Sequence, residues 1–155
     1  MKKILMALFV AATFSQVSAQ SIQLRDAFRE MPDSLMPYLS KNNRLDFIDF
    51  LDSNMKAEVK NKLGGTSQML SIGADSLVLR MSPSLRVDLL AIDSTLVMVE
   101  TFTVDSIYGQ SRVHYYSSEW QPVAAPAFSP AQEQRINRLQ LQNIVKRDDD
   151  LLKER

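Results

Sequence analysis

From Ser67 onward, apolar residues recur at every second position, and the breaks between these runs are very short. Period-two runs mark strands near 67–72, 76–81, 85–92, 96–104 and 110–118. The connections "GAD", "SPS", "DST" and "DSIYG" are three, three, three and five residues long. A parallel crossover needs about a dozen residues or more, so each loop has to join antiparallel neighbours. The expectation is a five-stranded antiparallel meander. Residues 55–70, "MKAEVKNKLGGTSQML", alternate only weakly before the Gly64-Gly65 turn, and no strand is read ahead of that turn.

Two of the strands are apolar on both sides. Leu85, Val87, Leu89 and Ala91 share one face of 85–92, with Leu90 and Ile92 on the other. In 96–104, Leu96, Met98, Phe102 and Val104 oppose Val97 and Val99. Two apolar faces need two covers. N-terminal helices supply one, and a C-terminal helix or a partner supplies the other.

The stretch "FREMPDSLMPYLSKNNRLDFIDFLDSNM" reads as two helices. Asp33 or Ser34 caps the first, with Pro37 tolerated in its first turn. Asn43 caps the second, with Asp46 three residues later in a capping-box-like place. On that helix Phe47, Ile48, Phe50, Leu51 and Met55 span an arc of about 160°. Asp46, Asp49 and Asp52 lie opposite, as the wet side of an ordinary amphipathic helix requires. A calcium loop is ruled out because no Asp-x-Asp-x-Asp-Gly pattern is present. Asp-Ser recurs at 33–34, 52–53, 75–76, 93–94 and 105–106, each at an expected helix end or hairpin turn, where both side chains can bond local backbone groups.

Past Trp120, Pro122, Pro126 and Pro130 keep "QPVAAPAFSP" extended. Ser129 and Gln132 form a capping box around Pro130, opening a helix that ends near Lys146 or Arg147. At the other end, Lys2 and Lys3 precede an apolar run from Ile4 to Phe14, and Val17-Ser18-Ala19 offers a cleavage site before Gln20. No cysteine follows, which excludes a lipoprotein, and no membrane span remains after cleavage. The expected organisation is a signal peptide (1–19), a compact α+β domain (20–121), a Pro-rich linker (122–130), a C-terminal helix (131–147) and a charged tail (148–155). The expected location is the periplasm or the exterior.

Several chemistries are missing. Without Lys2 and Lys3, the 18 basic residues fall two short of the 18 acidic ones, so nucleic acid is not an expected partner. With no cysteine and one histidine, His114, neither disulfides nor a Cys/His zinc site can form, and no metal or cofactor is expected. There is no G-x-S-x-G elbow, and glycines 64, 65, 73 and 109 make neither a P-loop nor a dinucleotide fingerprint.

The runs "MPDSL", "KNNRLDFIDFLDS" and "MKAEV" resemble a family of exported Bacteroidetes proteins classed as domain of unknown function 3256 (DUF3256). The likeness continues through the hairpins to "YYSSEWQPV", up to about Val123. It implies an envelope-located α+β domain and brings no catalytic residues.

Two functions compete. One is a non-catalytic binding or scaffolding module that meets another envelope protein or a small ligand on its sheet face. The other is a hydrolase acting through carboxylates on glycans or peptides, which requires a cleft holding two carboxyl groups with opposed pKa shifts. The candidate binding residues follow from a register. If "DSIYG" is a five-residue loop, Val104 faces Gln110, which sets Glu100 against His114, Phe102 against Arg112 and Met98 against Tyr116. Glu100 and His114 then form either a structural pair or, with Arg112, Tyr116 and Trp120 on the same parity, a strip able to grip a carboxylate or sugar. A first test concerns the leader. Intact mass of the protein recovered from the periplasm should place the N-terminus at Gln20, and a mass that retains residues 1–19 would remove the signal-peptide reading.

Overall fold

The computed structural model describes residues 22–104 and 108–140. The expected signal peptide, the end of the C-terminal helix and the charged tail lie outside these residues. Helix α1 (Leu24–Glu30) and a 3-10 turn (Asp33–Leu35) lead into α2 (Lys41–Asp52). Six strands follow: β1 (Glu58–Lys60), β2 (Thr66–Ile72), β3 (Ser76–Ser82), β4 (Leu85–Ile92), β5 (Thr95–Val104) and β6 (Tyr108–Ser117). All pair antiparallel in chain order, forming one sheet. A last helix, α3, occupies 130–140 of the described residues. The class is α+β, and the sheet is a meander.

The sixth strand, β1, was not expected. It is three residues long, with the buried Val59 set between exposed Glu58 and Lys60. A run this brief gives almost no alternation to read. Its charges also suit a sheet edge, where unpaired backbone would otherwise invite aggregation.

The first helix differs too. Leu24, Ala27, Phe28 and Met31 are buried at helical spacing, so α1 lies before Pro32. Only a 3-10 turn forms where a helix capped by Asp33 or Ser34 was expected. Met36 shows why: it precedes Pro37 and sits at φ −143°, ψ 74°. The proline ring disfavours helical backbone in the residue ahead of it.

For α2, the cap is Ser40 and not Asn43. The Asn43 N–H donates to Ser40 Oγ (3.2 Å) and the Ser40 N–H donates to Asn43 Oδ1 (3.1 Å). This is a capping box with Asn where Glu or Gln is usual, which disguised it. At the other end Asn54 takes φ 54°, and the N–H groups of Asn54 and Met55 donate to Leu51 and Phe50 carbonyls (3.0 and 2.7 Å). Those two bonds form a Schellman ending, which places Met55 outside the helix. Phe47 and Ile48 are buried and Phe50 and Leu51 half-buried, while Met55 is 57% exposed. Asp46, Asp49 and Asp52 are all exposed, as expected for the wet side.

Arg44 is the unexpected core member of α2. It is buried, donating to the Met31 carbonyl (2.6 Å), the Leu39 carbonyl (3.4 Å) and Asp33 Oδ1 (3.0 Å). It therefore satisfies backbone oxygens left over where α1 ends and where the following loop turns.

The two-cover expectation holds. On one face α1 and α2 pack over Leu77, Leu79, Met81, Val87, Leu89, Leu96 and Met98. On the other, Leu90, Ile92, Val97 and Val99 meet Ile136 of α3, with Phe128 and Leu139 alongside. The second cover is this chain's own helix. Its N-terminus carries the expected capping box: the Ser129 N–H donates to Gln132 Oε1 (2.8 Å) and the Gln132 N–H donates to Ser129 Oγ (3.4 Å).

Phe47→Ala should therefore cost about 3–5 kcal/mol in urea unfolding. Asp49→Asn should stay within about 0.5 kcal/mol. Phe50→Ala, from a half-buried site, should fall between the two.

Candidate functional site

The β5–β6 register differs from the expected one by two residues. Val104 pairs with Tyr108, Glu100 with Arg112, Met98 with His114 and Leu96 with Tyr116. The loop is thus shorter by two at its far end than "DSIYG" suggested. Because side chains alternate with period two, a shift of two preserves the face of every residue. Glu100 and His114 still meet, as diagonal neighbours: His114 Nε2 lies 3.2 Å from Glu100 Oε2. The His114 side chain is 40% exposed and the Glu100 side chain 21%.

The other three candidates fall along the same row at different depths. Arg112 is exposed and holds its guanidinium 5.5 Å from the centroid of the Phe102 ring, a cation–π distance. The His114 and Tyr116 rings stack with centroids 6.4 Å apart, and Tyr116 meets Trp120 at 5.6 Å. Tyr116 is 6% exposed and Trp120 4%, so both belong to the core. Burial pushes the Tyr116 phenol up, and the Glu100 charge adds to the effect. Trp120 donates its indole N–H to the Ala27 carbonyl of α1 (2.8 Å), from a left-handed backbone at φ 62°. The row therefore runs from core to solvent. Glu100, Arg112 and His114 are the members a ligand can reach.

Elsewhere several carboxylates are committed to cations. Arg44, then Lys62, hold the Asp33 carboxyl below its ordinary range; Arg25 does so for Asp52, and Lys41 for Glu30. The Arg135 guanidinium beside Asp75, 2.7 Å away, lowers Asp75 in the same way. That pair ties α3 to the β2–β3 turn. A second tie, from Gln132 Nε2 to Asp93 Oδ2 (2.9 Å), fixes it to the β4–β5 turn. Among the described residues no group of three or more His, Asp or Glu side chains is placed to hold a metal.

A separate cleft was not foreseen. It measures ≈ 200 Å³ and lies between α3, β6 and the strap at 125–128, lined by Tyr115, Pro126, Phe128, Glu133, Asn137 and Gln140 among others. The strap is pinned to the edge of β6, since Pro122 bridges Tyr116 and the Val123 N–H donates to the Tyr115 carbonyl (3.0 Å). The helical spacing of Glu133, Asn137 and Gln140 was visible, but nothing in it placed Phe128 and Tyr115 across from them.

The profile of the family described as "Protein of unknown function (DUF3256)" matches residues 15–152. The chain belongs to that family. No curated protein matches this DUF3256 member. Among solved structures it is similar to a domain of an uncharacterised protein from Porphyromonas gingivalis W83, with a TM-score of 0.56 and 20% identity. The match covers 71% of the present chain and 59% of that one, and it speaks to fold alone.

The Asp75–Arg135 tie has a pH signature. A carboxylate whose folded pKa is depressed stabilises above its unfolded pKa, about 3.9, and that contribution is lost as pH falls through the folded value. Both partners are largely solvated, so Asp75→Asn should cost under about 1 kcal/mol at neutral pH. The difference between wild type and variant should vanish in acid, as read by urea unfolding across the pH range.

Proposed function

We propose that this DUF3256 protein is an exported, non-catalytic binding or scaffolding module of the cell envelope. The leader-like segment at 1–19 supports export: a basic start, a short apolar run and small residues before Gln20. The contact surface is the solvent end of the row on β5 and β6, formed by Glu100, Arg112 and His114 beside Phe102. Its partner presents a carboxylate, on another envelope protein or on a small ligand.

One observation carries this reading. Arg112 is exposed and stacked on Phe102, yet its guanidinium makes no ion pair among the described residues. A planar fork of donors held on a ring is partly pre-organised for a carboxylate. The half-exposed His114 lies beside it, held against Glu100.

A carboxylate-dependent hydrolase is less well supported. It needs one carboxyl group held protonated near a second that is ionised. The carboxylates displaced here, Glu30, Asp33, Asp52 and Asp75, all move downward through cationic partners. Among the described residues the cleft beside α3 contains a single carboxylate, Glu133.

The test is cross-linking in native envelopes with the full-length chain. Wild type and Asp49→Asn should capture the same partner, and Arg112→Glu should lose it while keeping its unfolding midpoint. Equal capture by Arg112→Glu would overturn the assigned surface, and recovery of the protein from the cytoplasm would overturn the location.

A further inference from the structure

The cleft beside α3 lies on the opposite face of the sheet from Arg112, since Tyr115 and Arg112 differ in strand parity. What it receives is therefore independent of the reading above. Its apolar side consists of Tyr115 and Phe128, whose rings are 5.9 Å apart and inclined by 38°, together with Ala125 and Pro126. Ile136 forms part of the lining and is itself buried in the second core. Facing these are Glu133, Asn137 and Gln140, set along α3 at intervals of four and three residues. Helical periodicity places all three on one stripe.

Charge decides what such a cleft suits. Among the described residues Glu133 is the only charged lining residue, and it makes no ion pair with any of them. Arg135, two positions along, is held by Asp75 and does not neutralise it. An uncompensated carboxylate opposite two aromatic rings favours a cation, because ring faces and the carboxylate attract it together.

Size and shape narrow the class. A volume of ≈ 200 Å³ is below the roughly 300–1,000 Å³ of sites that enclose drug-sized ligands. It has room for a group the size of a side-chain end. The acceptors are spread between a carboxylate and two carboxamide oxygens, which suits a planar group with several N–H donors better than a compact ammonium. We infer that this cleft binds a guanidinium group, with Glu133 as its counter-charge, Tyr115 and Phe128 as stacking surfaces and the Asn137 and Gln140 carbonyls as further acceptors. The guanidinium arrives as an arginine side chain of a peptide or as a small free guanidino compound.

The experiment titrates the full-length protein with methylguanidinium and follows the Asn137 and Gln140 side-chain amides and the Tyr115 ring by NMR. Saturable shifts confined to these groups are expected, and Glu133→Gln should weaken binding by about tenfold or more, the loss of a charge-assisted contact. Glu133 is exposed, so the variant should keep its unfolding midpoint. A Gly-Arg-Gly peptide that binds more tightly than methylguanidinium assigns the source as a peptide, and equal affinity assigns a free guanidino compound. Either result supports the site. Equal titration of wild type and Glu133→Gln would overturn it, as would equal shifts from methylammonium or from neutral glucose.

Discussion

A sheet whose middle strands are apolar on both faces cannot stand with one side in water. Here that requirement organises the whole chain. The N-terminal helices close the face carrying Leu89 and Met98, and α3 returns across Leu90, Val97 and Val99 on the reverse. The proline-rich strap follows from the same requirement. It has to carry the chain from the last strand around to the far face, and by pairing with the edge of β6 near Tyr115 it holds one defined path. The guanidinium cleft exists because a helix and a strap meet over that second face.

The covers are fastened at recurring points. Of the five Asp-Ser pairs, four have a described aspartate, and each of these bonds a distant side chain: Asp33 with Arg44 and Lys62, Asp52 with Arg25, Asp75 with Arg135 and Asp93 with Gln132. Turn chemistry accounts for where the aspartates occur, since short polar side chains suit turns. Their outer oxygens then meet a basic or amide group from a covering helix or nearby loop. Exposed pairs of this type add little stability singly. Their value lies in direction: they select one docking angle for helices that an apolar face alone would let slide.

Legibility in the sequence tracked the strength of the physical signal. The meander was plain because four short loops leave no alternative, and so were the two covers and the Ser129 cap. The first helix was misplaced because Pro32 and Pro37 compete as boundaries, and packing of Leu24 and Phe28 decided between them. Ser40 was overlooked because its reciprocal partner is Asn43. Strand β1 has too few residues to show a period. At the candidate surface, the parity of Glu100 and His114 was readable although their alignment was not. Loop length sets alignment, whereas alternation sets face, and alternation survives a shift of two. That Tyr116 and Trp120 sit in the core depends on where α1 lies, which no local pattern in β6 contains.

The indole of Trp120 reaches the carbonyl of Ala27 across 93 residues. The meander's own pairings join near neighbours along the chain, so their loop-closure entropy is small and they can zip early. The Trp120 contact has the opposite character. It links α1 to the turn that follows β6, so the whole sheet separates its two partners along the chain. On topological grounds this one bond forms late, after the pairings between neighbouring strands. The Trp120–Ala27 bond can therefore close only once the segment that follows β6 has been made.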